Sequence, residues 1–400
     1  MIPASLHPLF VQFAEAGGRA LVVGGSVRDT LLGQPVGDLD IEVHGLPLDD
    51  VVRILRRFGH VNEVGRAFGV LKVRHEGHEL DVSLPRRDQR EGVGHKGIRA
   101  TSDPDLGVRE AARRRDLTIN AIAFDPLTGA YEDPFGGRED LARHLLRAVD
   151  PHTFGEDPLR ALRVAQFAAR FDYAVDPALE ALCAAMPLEE LPPERIRGEI
   201  EKLLLKGRSR AAGWDLARRA GIWRKVLPEW DVFPEALDRI GCAPVEEPNR
   251  RLALLYAAAC AHNTSAEAER VLDRLRVFRI GGYPVRRMVL SLIARRDLAG
   301  GHAPDDATVR RLGEEADMDL LAALVESPAL LAAATRLGVR DAPLPALLSG
   351  AELAALGVPP GPDMGRLLAA LRARQLDGAI TTPAEARSEL ARLLEAERSP

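Results

Sequence analysis

The chain changes its hydrophobic rhythm once, near residue 145, and that change limits the folds open to it more than any single motif. Before it, short β-branched runs alternate with helical stretches, and residues 20–23, 38–43, 70–74, 79–84 and 120–124 read as strands. The runs 70–74 and 79–84 flank His75-Glu76-Gly77-His78, a hairpin connection. After it, Leu and Ala recur three and four residues apart, the period of helices that bury one face. Pro192-Pro193, Pro228, Pro248, Pro284 and Pro304 divide that region into successive helices, and residues 342–400 form a last helical unit with a Gly/Pro-rich turn at 357–365. At 400 residues the chain exceeds what one core organises. The expected class is α+β: a head with a small mixed β-sheet over residues 1–145, then a helical neck (146–205), a helical body (206–340) and a helical tail (341–400).

Composition removes several function classes. A net charge of -5 at pH 7 is incompatible with a uniformly basic coat, although local basic patches remain open. Aromatics at 4% are too few for a broad base-stacking platform. Cys183, Cys242 and Cys260 are odd in number and never at metal-like spacing, which argues against a disulfide framework or a zinc knuckle. Trp214, Trp223 and Trp230 read as core anchors of the middle helices. Residues 1–20 read as an amphipathic helix with no leader signal, and the longest apolar run, 252–261, is shorter than the ~18 residues a bilayer span needs. A cytoplasmic protein without membrane contact is expected.

The chemistry concentrates in the first 160 residues. Leu21-Val22-Val23 runs as a buried strand into Gly24-Gly25 and then a helix, with Ser26 expected as N-cap and Asp29 as its capping-box partner. Glycines there let backbone N–H groups approach an anion at a helix N-terminus. The turn is neither a Walker loop nor a dinucleotide fingerprint, which need further Gly or Lys residues. Ten residues after Arg28 comes Asp38-Leu39-Asp40, whose carboxylates share one face of a strand. With no lysine or arginine between them they repel, and a divalent cation resolves that repulsion. Mg²⁺, which combines few carboxylates with phosphate oxygens, suits Asp38 and Asp40 as metal ligands. In Glu79-Leu80-Asp81-Val82 the alternation turns Asp81 away from the core, where an adjacent strand would bring it beside them. Asp38, Asp40 and Asp81 beside a Gly-Gly anion site describe a two-metal phosphoryl-transfer centre.

These residues resemble a known family. Gly24-Gly25-Ser26-Val27-Arg28-Asp29, Leu31-Leu32-Gly33 and Asp38-Leu39-Asp40 are similar to the signature of the class II tRNA nucleotidyltransferase and bacterial poly(A) polymerase superfamily. Arg114-Arg115-Asp116-Leu117-Thr118 resembles its Arg-Arg-Asp motif, Gly155-Glu156-Asp157-Pro158-Leu159-Arg160-Ala161-Leu162-Arg163 its third block, and Leu191-Pro192-Pro193-Glu194-Arg195-Ile196 a later one. The resemblance implies a nucleotidyltransferase-fold head. It places Gly24, Gly25, Arg28, Arg115 and Asp116 at the nucleotide and assigns base selection to Asp157 and Arg160, with Arg163 following the nucleotide or its phosphates. The chemistry agrees: a carboxylate that only accepts and a guanidinium that only donates match the common edge of cytosine and adenine, and mispair with guanine and uracil. Asp157, just before Pro158, is equally placed to cap the helix. Where the family often has a further arginine, this chain has Gln166, which puts the charge at the pocket rim in question.

The resemblance therefore implies a template-independent tRNA nucleotidyltransferase that uses CTP, ATP and Mg²⁺ on the tRNA 3′ end. A CC-only or A-only enzyme, a poly(A) polymerase and a catalytically silent tRNA-binding protein stay open, as does the oligomeric state. Residues 86–97, polar, basic and glycine-rich, read as a flexible loop that gates the change from cytidine to adenosine. Lys206 with Arg208 and Arg210, Arg218-Arg219 with Arg224-Lys225, Arg286-Arg287 and Arg295-Arg296 offer a discontinuous basic path for RNA phosphates. The turn at 357–365 and Leu376-Asp377-Gly378 resemble the family's tRNA-binding tail. No His-Asp dipeptide is present, so the phosphohydrolase that some relatives carry is not expected.

Overall fold

The structure is a computed structural model that describes residues 2–62, 70–90, 98–241, 245–299, 305–314 and 317–398. The tip of the expected loop at 91–97, Cys242 and Pro304 lie outside the described residues. The chain forms two compact units, Met1–Val226 and Leu227–Pro400.

In the first unit, α1 (His7–Glu15) leads into β1 (Arg19–Val23), α2 (Gly25–Leu31), β2 (Leu39–His44), α3 (Leu48–Leu55), β3 (His60–Asn62), β4 (Val70–His75) and β5 (His78–Ser83). Next come β6 (Arg86–Arg90), β7 (Ile98–Ser102), α4 (Val108–Arg113), β8 (Ala123–Phe124) and β9 (Tyr131–Glu132). Seven strands form one mixed sheet in the order β3-β4-β5-β2-β1-β8-β9, antiparallel throughout except for the parallel pair β2–β5. Leu39, Ile41, Val43, Leu80 and Val82 point into the core at every second position, so Asp40, Glu42 and Asp81 share the opposite face. The β4–β5 hairpin closes through Glu76 and Gly77, both at positive φ (46° and 81°), the two-residue turn that matches strand twist.

Three local expectations change. Residues 120–124 are not one strand: Thr118–Asn120 make a 3-10 turn held by the side chains of Asp116 and Asp140, and only Ala123–Phe124 pair. Ser26 does not cap α2, because Gly24 occupies the N-cap at φ 74° and the Ser26 hydroxyl donates back to the Val23 carbonyl. The segment 86–97 is not wholly irregular, since β6 pairs with β7 from Arg86–Ser102 to Arg90–Ile98 as a separate antiparallel ribbon.

After α5 (Gly137–Ala142), β10 (Leu145–Leu146) and α6 (Pro151–Phe154), the unit centres on α7 (Leu159–Phe171). Eleven of its thirteen residues are buried. A short strand β11 (Ala174–Val175) pairs in parallel with β10, so the expected neck is not purely helical. Then follow α8 (Pro177–Ala185), α9 (Pro193–Lys206), α10 (Arg210–Arg219) and α11 (Ile222–Val226). Residues 210–226 belong to this first unit, beyond the neck boundary expected at 205. The cause is Gly213: α10 packs so closely on α7 that a Cβ there would sit 2.3 Å from the Ala165 carbonyl oxygen. Trp214 and Trp223 stack with centroids 4.4 Å apart, and both are buried.

The second unit is helical, with ten helices among its described residues from α12 (Pro234–Gly241) to α21 (Pro383–Arg398). Pro248 opens one helix at its first turn, where a missing N–H costs nothing, and Thr264/Glu267 and Ser349/Glu352 form reciprocal capping boxes. Leu348, Leu353, Val358, Leu367, Leu371 and Ile380 make the core of the tail. Trp230 is buried and donates its indole N–H to the Ala259 carbonyl, 2.9 Å away. Among the described residues no helix is long and apolar enough to cross a membrane.

Candidate active site

The parallel pairing of β2 with β5 puts Asp40 directly opposite Asp81. The hairpin register puts Lys72 opposite Asp81 on the other side, and the lysine ammonium reaches both carboxylate oxygens at 3.0 and 3.2 Å. Lys72, Asp81 and Asp40 thus form a row across three strands, with Asp38 exposed one residue ahead of β2. Burial raises the Asp40 carboxyl above the usual aspartate range; Arg115 pulls against that, while Asp81 and Asp38 add to it. The donors are hard carboxylate oxygens, and the raised proton affinity of Asp40 is what a bound cation would relieve, so Asp38 and Asp40 fit a divalent ion. Among the described residues no three His, Cys, Asp or Glu side chains are grouped to hold an ion by themselves. A cation here would depend on phosphate oxygens and water for its remaining ligands.

The sequence shows no basic residue between the paired acids, yet the fold supplies one. Arg115, just past the end of α4, lies beside both Asp40 and Gly24: a Cβ on Gly24 would sit 2.9 Å from Arg115 Nη1 and 3.2 Å from Asp40 Oδ2. Glycine is required there twice over, for its φ of 74° and for this approach. Behind the pair lies Glu42, only 3% exposed, within 3.4 Å of Arg114 and 3.3 Å of His44. Burial alone would raise the Glu42 carboxyl, but His44, Arg115 and Arg114 hold it down at about 2.

Asp116 is buried and makes three bonds, to the Leu117 amide (2.8 Å), Asn120 Nδ2 (2.9 Å) and Arg163 Nε (2.7 Å). Burial works against its charge, and Arg163 and Asn120 together hold its carboxyl below the ordinary value. Arg163 lies over the Phe167 ring, and Arg28 packs against both Phe167 and Phe171, at 5.3 and 4.9 Å from their centroids. Arg28 is 3% exposed, donates to Asn120 Oδ1 at 2.5 Å and pairs with Asp29 at 2.7 Å, so its guanidinium is engaged inside the protein. Asp29, expected to cap α2, instead bridges Arg28 to Arg170 at 3.0 Å.

Asp157 and Arg160 sit at the start of α7, each with protein partners. Asp157 Oδ1 accepts from the Leu159 amide at 3.1 Å, and Oδ2 from Arg195 of α9 at 2.9 Å. Arg160 donates to the carbonyls of Thr153 (2.7 Å) and Arg114 (2.5 Å). Pro158 holds the N-cap position of α7, and the Asp157 side chain still meets the first helical amide with one carboxylate oxygen and Arg195 with the other. Glu42, Lys72 and Arg195 are the site residues that sequence reasoning missed. Glu42 continues the alternation of Asp38 and Asp40, Lys72 follows from the hairpin register, and Arg195 lies in the family-like block at 191–196 with nothing local to name Asp157 as its partner.

Known proteins match these features in order. Residues 20–147 match the family model of the poly A polymerase head domain, and residues 174–233 that of a probable RNA and SrmB-binding site of polymerase A. The chain is 37% identical over 262 residues to the CCA-adding enzyme of Bordetella pertussis, covering 63% of this chain and 68% of that one. The chain belongs to the class II CCA-adding enzyme and poly(A) polymerase superfamily. A second superfamily member, the multifunctional CCA protein of Nitrosococcus oceani, is 39% identical over 212 residues, 52% of this chain and 50% of that protein. The chain spans about half the length of such multifunctional relatives. Among solved structures of the superfamily, the Bacillus stearothermophilus CCA-adding enzyme in complex with CTP superposes with a TM-score of 0.71 at 25% identity, over 100% of this chain and 99% of that one.

Proposed function

We propose that the chain is a template-independent tRNA nucleotidyltransferase that builds or repairs the 3′-terminal CCA from CTP and ATP. The reading rests on one observation: Asp40 and Asp81 are register partners next to the Gly24-Gly25 turn, with Arg115 beside both turn and carboxylate. In this reading Asp38 and Asp40 hold Mg²⁺, which supplies charge neutralisation at the attacking and leaving oxygens. In this reading Asp81 assists activation of the primer 3′ hydroxyl by accepting its proton as that oxygen attacks the α-phosphate in line and pyrophosphate departs. Gly24 and Gly25 present backbone to the triphosphate, and Arg115 follows its charge. Asp157 Oδ2 exchanges Arg195 for the amino group of cytosine or adenine, while Arg160 and Arg163 supply donors along the same rim. Protein side chains thus take the place of a template.

The expected basic path narrows under this reading. Arg210 is 3% exposed and donates to the Leu204 carbonyl, Lys225 donates to the Ala184 and Met186 carbonyls, and Arg286 pairs with Glu269. In this reading Lys206, Arg208, Arg224 and Arg287 remain for RNA contact. A cytoplasmic location accords with tRNA as substrate.

Single-nucleotide assays on transcripts ending before CCA, in C and in CC test the proposal. Stepwise addition of C, C and A is expected. Addition of only CC or only A identifies a specialist, long adenosine tracts a poly(A) polymerase, and binding without addition a silent tRNA-binding protein.

A further inference from the structure

Helix α9 carries a carboxylate where its pattern calls for an apolar side chain. Ile196, Ile200, Leu203 and Leu204 form its buried stripe, and Glu199 lies within that stripe, 4% exposed. Lys202 donates to Glu199 Oε1 at 2.8 Å, while Oε2 is buried and has no hydrogen-bond partner. A buried carboxylate oxygen left unpaired is costly, and an apolar residue would avoid that cost. Arg195 is the donor within reach. It lies four residues before Glu199, the spacing that sets two side chains next to each other on one helix face. Gly198, between them, puts no side chain in the way, and a Cβ added there would meet nothing within 4 Å. Arg195 is half-buried and donates to Asp157 Oδ2 at 2.9 Å. Arg163 also brings its charge to bear on Glu199, but its Nε is committed to Asp116 at 2.7 Å and its guanidinium lies over Phe167.

Resting on the nucleotidyltransferase reading, in which a base amino group takes the place of Arg195 on Asp157, we propose that Glu199 is a specificity-determining residue that receives the displaced Arg195. Before the nucleotide enters, Asp157 is paired and Glu199 Oε2 is not. Afterwards the amino group satisfies Asp157 and Arg195 satisfies Glu199. Each bond broken within the protein is replaced, and one buried unpaired acceptor disappears. Only a base with an amino group at that position makes the exchange. Guanine and uracil present a carbonyl oxygen there, which cannot donate to a carboxylate, so Arg195 stays on Asp157. Arg195 thus competes with every incoming base for the carboxylate that reads it, and Glu199 sets how readily the arginine yields.

Calorimetric binding of CTP, ATP and UTP to the full chain, together with thermal melting, tests this without requiring turnover. Glu199→Gln should weaken CTP and ATP binding about tenfold, leave the weaker UTP binding unchanged and melt no lower than wild type. Glu199→Met, which continues the apolar stripe, should show the same loss of affinity and keeps the test open if the amide variant does not fold. Arg195→Met leaves Asp157 without its competitor and should bind CTP at least as tightly as wild type. Adding Glu199→Gln to Arg195→Met should change nothing further. A lower melting temperature with unchanged affinities would make Glu199 a structural residue and overturn the proposal. Weaker CTP binding by Arg195→Met, or the same effect of Glu199→Gln with and without Arg195, would also overturn it. If the wild-type chain binds none of the three nucleotides, the nucleotidyltransferase reading fails and takes this proposal with it. If it binds CTP and ATP and the Glu199 variants bind them equally well, this proposal alone fails.

Discussion

Asp40 and Asp81 come from strands that run parallel and lie in register, so backbone hydrogen bonds, not a loop, fix the spacing of the two acids. A parallel pair needs a long crossover between its strands, here about forty residues of sequence separation. Asp40 and Asp81 are thereby held by the hydrogen-bonded backbone of the sheet itself.

Asp40→Asn should lower nucleotide addition about a thousandfold or more, because a phosphoryl-transfer site that loses a charged ligand loses its means of neutralising the reacting oxygens. The same variant should melt higher than wild type at neutral pH. Burial, Asp81 and Asp38 raise the Asp40 carboxyl, so the fold favours the neutral form and holds the charge against its own stability. Thermal melts and single-turnover assays read the two effects, and a lower melting temperature would contradict the electrostatic account.

Glu42→Gln tests the opposite sign. Glu42 titrates at about 2 in the folded chain against an ordinary 4.5, so its charge stabilises the fold fully above 4.5 and that contribution is lost as pH falls toward 2. The variant should melt well below wild type at pH 7, and the gap should close as the pH falls through that window. Nucleotide KM should rise as well, since Arg114 and Arg115 lose their common partner. A gap independent of pH would point to packing alone.

Asp157→Ser separates capping from base selection. Serine is a strong N-cap, so the Leu159 amide keeps a partner and the melting temperature should fall by little more than the loss of the Arg195 pair. Discrimination against UTP and GTP should fall about ten- to a hundredfold, the worth of a charge-assisted hydrogen bond. Asp157→Ala should lose selectivity and stability together. Intact selectivity in the serine variant would remove Asp157 from base selection.

Gly24→Ala should destroy activity and cost more than the usual ~1 kcal/mol of a glycine replacement, since the methyl group meets Arg115 and Asp40 at a φ that disfavours any side chain. Arg115→Ala in the same chain removes the closer of the two contacts. That double variant should regain melting temperature without regaining addition, as differential scanning and primer extension would show.

Most of the head was readable because strands advertise themselves by alternation. The alternation of Leu39, Ile41 and Val43 with Asp40 and Glu42 marks both the core face and the acid face of β2. Lys72 could have been read as well: a two-residue turn at Glu76-Gly77 pairs His75 with His78, and counting back pairs Lys72 with Asp81. What could not be read was which strand lies beside β2, since periodicity carries no information about neighbours. The same blindness hid Arg195, thirty-eight residues from the carboxylate it holds. Expectations about caps failed at Ser26 for a local reason: Gly24 at positive φ starts the helix two residues early and turns the serine hydroxyl back toward β1.

The turn at Arg114–Asp116 is bolted to α7 at two points, by Arg160 on the Arg114 carbonyl and by Arg163 on Asp116. In polymerases that copy a strand, the instruction and the machine that executes it are separate molecules and can be exchanged. Here, in the proposed reaction, the segment that chooses the letter is tied by two side-chain bonds directly to the turn whose arginine meets the acids. A substitution that retunes the alphabet must therefore also disturb the speed of writing, and variants with altered nucleotide choice should be found among slow enzymes.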